Sequence, residues 1–84
     1  MERAELDRVD LDGALLKAHA GHDLPALVRL YTVAGDRAEA EGNIDAACFY
    51  LTHAFVFALE AGAPEADALN RRLAARGRAH LLAL

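Results

Sequence analysis

Apolar residues recur with a helical period along most of the chain, and three short breaks divide it into four segments. The breaks lie at residues 21–23, 42–43 and 62–64, and each contains a glycine. Breaks about 20 residues apart predict helices of about 18 residues, each near 27 Å long. The pattern therefore predicts an all-α protein of four helices in one domain that spans residues 1–84.

The first two helices have clear candidate ends. The first is expected within residues 3–20, with a second possible start at Asp12, an N-cap residue followed by the helix-weakening Gly13. The second is expected over residues 24–41, with Asp23 as its N-cap. Pro25 suits the first turn, where its missing N–H has no helical partner. Gly42 follows, because glycine tolerates the positive φ of a helix end.

The third and fourth helices differ in their apolar surface. The third is expected over residues 44–61, with Asn43 as its N-cap, and is apolar on nearly all sides. Such a helix is usually central, although one helix cannot turn four aromatic rings inward, so some should lie at an edge or interface. The fourth is expected to start at Pro64 and to stop near Gly77.

Composition supports helices over strands and bears on location. The chain is 55% hydrophobic and has twenty alanines but only one isoleucine and four valines. The sequence contains no run of 18 apolar residues, so we expect no membrane span. Its first residues are charged, so we expect no signal peptide. Because Cys48 is the one cysteine, we expect a reducing, cytoplasmic location. Eight arginines against one lysine suggest GC-rich, bacterial coding.

Charge is unevenly distributed. Residues 1–62 carry eleven acids and five bases, whereas residues 63–84 carry two acids and four arginines. The acidic body makes nucleic-acid binding an unlikely function. The four arginines, which we interpret as helix-end and surface charges, are Arg71, Arg72, Arg76 and Arg78.

No residue pattern predicts catalysis or a cofactor. His19, His22 and Asp23 have a spacing that could bind a metal, but no third strong ligand is nearby in the sequence. Cys48 and His53 point about 140° apart on a helix, so they do not form a nucleophile–base pair. We therefore interpret Cys48 as a core residue, and expect no catalytic residue, metal or cofactor.

The segment around the second break resembles one tetratricopeptide repeat, a helical hairpin that stacks into solenoids. Tyr31 matches its large aromatic position and Gly35 its small position. Gly42 opens the turn, and Ala47 and Ala54 match the two small positions of the second helix. Small residues at Gly35 and Ala47 would let the helix axes approach to about 8 Å. An alanine-rich four-helix bundle would show similar positions.

The resemblance implies a fold and a function. It implies four antiparallel helices in a right-handed stack, and a non-catalytic scaffold or adaptor that binds a protein or peptide. Four residues on the groove side of the second helix would contact this partner, unless they form an ordinary solvated face: Arg29, Thr32, Asp36 and Glu39.

Self-association is expected because solenoids usually need three or more repeats. The apolar tail would supply the contacts of a homodimer, through Leu81, Leu82 and Leu84. A different class of function is also possible. The chain could be a small helical regulator that binds an apolar ligand near the third helix, among Tyr50, His53 and Phe57.

Overall fold

The protein is made of four α-helices, seen in a computed structural model that describes residues 2–78 and the side chains of residues 10–78. Within those residues there is no β-strand. The all-α prediction is therefore confirmed. The helices are α1 (Glu2–Ala20), α2 (Leu24–Ala40), α3 (Ile44–Ala61) and α4 (Glu65–Ala75).

The observed ends agree with the sequence except at the start of α1. The helix runs without a break through Gly13, so a start at Asp12 is wrong. A glycine costs about 1 kcal/mol relative to alanine, which a helix already formed on both sides can absorb. In α4, Pro64 precedes the first helical residue, and the helix stops two residues before Gly77.

Side-chain caps begin α2 and α3, as predicted. Asp23 Oδ1 accepts a hydrogen bond from the Ala26 N–H at 3.2 Å. Asn43 Oδ1 accepts one from the Ala46 N–H, also at 3.2 Å. Each cap satisfies one of the N–H groups that a helix start leaves without a partner, and thereby sets where the helix begins.

All four helices end in the same type of turn. A backbone N–H five residues further along the chain donates to a carbonyl of the last helical turn, at 2.9 Å in every case. Three of these turns use a glycine at positive φ, and the first uses His22 at φ 52°. The donor and acceptor residues are Asp23 and Ala18, Asn43 and Ala38, Ala63 and Ala58, and Arg78 and Leu73.

Helices α2 and α3 form the closest packed pair. Gly35 of α2 is buried against α3, and a Cβ atom built on it would lie 2.7 Å from the Leu51 side chain and 3.3 Å from the Ala47 carbonyl oxygen. Ala47 is only 1% exposed. The predicted close approach at Gly35 and Ala47 is therefore confirmed, because any side chain at Gly35 would occupy the space of α3.

The core follows the helix contacts, with α1 against α2, α2 against α3 and α3 against α4. Cys48 is buried, which confirms that it is a core residue. One cluster of buried residues lies around α3 and contains Val28, Cys48, Leu51, Ala54, Ala58, Leu69 and Leu73. A second, smaller cluster joins α1 to α2 and contains Ala18, Ala26 and Leu27.

One side of α3 is apolar but not covered. Phe49 is 59% exposed, Leu59 50% and Val56 46%. By length and composition α3 is also a candidate membrane span, although the central helix of a soluble protein passes the same test. The expectation that some of the aromatic residues of this helix lie at an edge is confirmed for Phe49.

Candidate functional site

An open cleft lies between the first half of α2 and the connection from α3 to α4. Its volume is about 530 Å³, which is within the usual range of ligand pockets. Five of the eight lining residues are apolar. The lining consists of Pro25, Val28, Arg29, Thr32, Val33, Ala61, Ala63 and Glu65.

Two of the four predicted partner-contact residues line this cleft. Arg29 is exposed, and its guanidinium forms none of the ion pairs seen within residues 10–78. The Thr32 hydroxyl donates a hydrogen bond to the Val28 carbonyl oxygen at 2.7 Å. Arg29 is therefore the group that α2 contributes to the cleft for a charged ligand, while Thr32 contributes mainly shape.

The other two predicted residues are held by α4. Arg72 Nη2 lies 2.7 Å from Asp36 Oδ1 and 3.1 Å from Glu39 Oε1. Arg76 Nη2 lies 2.6 Å from Glu39 Oε2. These three ion pairs join Asp36 and Glu39 to α4, so the structure divides the predicted face into a part that lines the cleft and a part that is paired with α4.

The ion pairs also shift the acidity of Glu39. The hydrogen bond from Arg76 lowers the pKa of the Glu39 carboxyl below its ordinary value of 4.5; partial burial opposes this shift, and the charges of Arg72 and Arg76 add to it. Glu39 therefore stays ionised at neutral pH and keeps both arginines in place.

Three of the four arginines pair with acids on other helices, and the fourth pairs within α4. The sequence analysis missed the pairing between helices, because it interpreted the arginines as helix-end and surface charges. Arg78 Nη2 lies 2.6 Å from Asp45 Oδ1 at the start of α3. Arg71 pairs with Asp67 one helical turn away. The usable signal was the excess of acids before residue 62 and of arginines after it, because opposite charges on packed helices attract each other.

A cluster of rings joins α1, α2 and α3 around Tyr31. The Tyr31 hydroxyl is 2.8 Å from His19 Nε2, and its ring stacks on His53 at 4.9 Å and on Phe57 at 5.9 Å. Burial, helped by the neighbouring Tyr50, raises the pKa of Tyr31. The three residues of the alternative ligand site thus have their rings beside Tyr31, with His53 and Phe57 stacked on it and Tyr50 tilted, and they do not line the cleft.

The residues that the sequence offered as metal ligands have separate structural roles. The Asp23 carboxylate caps α2, and His19 faces Tyr31. In the part of the chain that the structure describes, no three His, Cys, Asp or Glu side chains are grouped closely enough to hold a metal ion. The predicted dimer contacts Leu81, Leu82 and Leu84 lie outside the described residues.

Comparison with known proteins adds no relative. No protein-family model, no curated protein and no solved structure matches this chain. The functional argument therefore depends on the geometry of the cleft and of the α2–α3 hairpin.

Proposed function

We propose that this chain is a non-catalytic protein-interaction module whose α2–α3 hairpin is built like a tetratricopeptide repeat. The close approach of Gly35 to Leu51 and Ala47 supports this proposal. The order of contacts along the two helices also supports it. Tyr31 lies beside Phe57, whereas Gly35, which is one turn later in α2, lies beside Leu51, which is earlier in α3. Both are expected of antiparallel helices in a right-handed stack.

The cleft is the part of the groove where a partner segment would bind. Its floor is apolar, with Val28 and Val33, and its rim carries one arginine and one glutamate, Arg29 and Glu65. An apolar side chain fits such a floor, and an adjacent carboxylate would pair with Arg29. We therefore propose a peptide partner with a large apolar residue next to an acidic one.

Panning a displayed random-peptide library on the full chain tests the proposal. Enriched peptides should share an apolar residue beside an acid. A synthetic peptide of that pattern should lose at least about tenfold in affinity to the Val33→Asp and Arg29→Ala variants, because these remove the apolar floor and the carboxylate partner.

Arg37→Ala is the matched control. Arg37 is also on α2, forms none of the ion pairs seen within residues 10–78, and does not line the cleft. Its substitution should leave peptide affinity unchanged. Equal effects of the Arg29 and Arg37 substitutions, or peptides whose binding ignores Val33→Asp, would contradict the proposal.

A small-ligand regulator is the weaker proposal. Its three residues, Tyr50, His53 and Phe57, all have ring contacts with Tyr31. His53 Nδ1 is also within 2.9 Å of the Phe49 carbonyl oxygen. Because these rings pack against one another, they leave less room for a ligand than the cleft does.

We keep a cytoplasmic homodimer as part of the main proposal.

A further inference from the structure

The uncovered side of α3 is a continuous stripe rather than a few scattered residues. Phe49, Thr52, Val56 and Leu59 are all exposed and follow each other at intervals of three, four and three residues. This 3–4 spacing is the one that lines up side chains along a helix that pairs with another helix. We call these four residues the α3 stripe.

None of the neighbouring helices covers this stripe. The α2 side of α3 includes Ala47 and Leu51, about 160–200° around the helix from Phe49. The α4 side includes Cys48, which belongs to the cluster that contains Leu69 and Leu73.

The contacts seen for the stripe are with its own helix: the Phe49 ring lies beside the Tyr50 and His53 rings, and the Thr52 hydroxyl donates to the Cys48 carbonyl oxygen. An exposed, largely apolar helix face of this length is typical of an interaction surface.

Charges at the two ends of the stripe indicate what covers it. At the start of α3, Asp45 is bound by Arg78, whose side chain is still 44% exposed. At the other end, Glu60 is exposed and forms none of the ion pairs within residues 10–78. A second copy running in the opposite direction would bring its Asp45–Arg78 ion pair, with the exposed part of Arg78, close to Glu60, whereas a parallel copy would bring two unpaired Glu60 carboxylates together.

The side chains of the stripe also fit this opposite orientation. Two copies related by a twofold axis between Thr52 and Val56 place Phe49 of one copy against Leu59 of the other. Thr52 then faces Val56 at the centre. Because of the twofold symmetry, the same four residues of each copy form the two halves of the interface.

We propose that the α3 stripe is the surface through which two copies of this chain associate, with their α3 helices antiparallel. The surface differs from the tail contacts expected from the sequence, and it does not depend on the peptide cleft beside α2. Four residues per copy bury much less than the roughly 800 Å² per partner of a standard interface, so the dimer is weak, with a Kd on the order of 100 µM.

Sedimentation equilibrium of the full chain from about 10 µM to about 1 mM tests the proposal. The wild type should shift from monomer to dimer over this range. Val56→Glu should raise the dimer Kd at least tenfold, because it places two carboxylates near the axis, while its helical circular dichroism stays unchanged. A wild type that remains monomeric throughout would overturn the proposal.

Two control variants separate this surface from others. Leu16→Glu makes the same kind of change on α1, at a leucine that is 73% exposed, and should leave the Kd unchanged. Leu82→Glu should also leave it unchanged. If either control weakens the dimer as much as Val56→Glu does, or if Val56→Glu has no effect, the α3 stripe is not the interface.

Thiol cross-linking tests the orientation. In a Cys48→Ala background, Thr52→Cys of one chain faces Val56→Cys of its partner, so a mixture of these two variants should form a disulfide-linked heterodimer under mild oxidation, since disulfides need Cα atoms within about 7 Å. Leu16→Cys is the exposed control and should form at most a tenth as much. A mixture that gives no more linked dimer than Leu16→Cys would overturn the antiparallel arrangement.

Discussion

The two contacts that α3 makes inside the molecule are built differently. Against α2 it presents Leu51 and Ala47, and a Cβ atom added at Gly35 would lie only 2.7 Å from the Leu51 side chain and 3.3 Å from the Ala47 carbonyl oxygen. Against α4 it packs on Leu69 and Leu73, while Arg72 and Arg76 of α4 reach the acids of α2. The first contact depends on shape alone. The α4 side combines apolar burial against α3 with ion pairs to α2 that pH and salt can weaken.

This difference matters for the proposed function. Because none of the ion pairs within residues 10–78 joins α2 to α3, pH and salt should affect the α2–α3 contact less than they affect the α4 contact. The ion pairs of α4 hold Asp36 and Glu39, whereas Arg29, which lines the cleft, forms none of the ion pairs within residues 10–78.

The largest effect is expected from overfilling the α2–α3 contact. Ala47→Leu should lower the free energy of unfolding by about 3 kcal/mol, because Ala47 is only 1% exposed and the added atoms must displace its packed neighbours. For a chain of this size the melting temperature would fall by about 15 °C. Thermal denaturation followed by circular dichroism measures this.

Ala40→Leu is the control for that substitution. Ala40 is an exposed residue of α2, so the same change there should alter the free energy of unfolding by less than about 0.5 kcal/mol. Equal melting temperatures for Ala47→Leu and the wild type would show that the α2–α3 contact has room for the added atoms, which contradicts the prediction.

A smaller effect is expected from a single methyl group. Gly35→Ala gains about 1 kcal/mol of helix propensity but forces a Cβ against Leu51, so we expect a net loss of about 1 kcal/mol. Gly13→Ala should gain about 1 kcal/mol, because a Cβ there meets no atom within 4 Å. Urea denaturation of both variants measures the difference, and effects of the same sign would contradict the account.

The smallest effect is expected at the polar part of the α4 contact. Because the pKa of Glu39 is lowered in the folded state, its ion pairs stabilise the fold above its ordinary pKa of 4.5 and stop doing so as the pH falls through the lowered value. Glu39→Gln should therefore melt slightly below the wild type at pH 7 in low salt. In strong acid the two proteins should melt together.

Glu41→Gln is the control for the charge change. Glu41 is exposed and forms none of the ion pairs within residues 10–78, so its substitution should not lower the melting temperature at either pH. A difference between Glu39→Gln and the wild type that persists in strong acid or high salt would mean that the ion pairs are not its cause.

Much of the hairpin could be predicted from the sequence because its signals are local. Asp23 and Asn43 cap the helices that follow them, Gly42 ends α2, and the small residues at Gly35 and Ala47 imply close packing. These features act within one or two turns of a helix, so residue type and spacing reveal them.

The site could be predicted only in part, because it depends on where α4 lies. Arg29 and Asp36 have the same helical phase on α2, yet α4 reaches one and not the other. No local pattern specifies this difference, since it arises from residues more than 30 positions apart. The exposed α3 stripe was partly missed for the same reason, because a helix that is apolar on all sides does not show which side its neighbours leave open.

The central claim is that Leu51 leaves no room at Gly35, and a double-variant cycle tests it most directly. Gly35→Ala is measured by urea denaturation in the wild-type and Leu51→Ala backgrounds, in an osmolyte buffer that keeps both folded. Leu51→Ala removes the two atoms that a Cβ at Gly35 would meet at 2.7 Å. We predict that Gly35→Ala destabilises the wild type but is neutral or stabilising without the leucine. The same loss in both backgrounds would contradict the account.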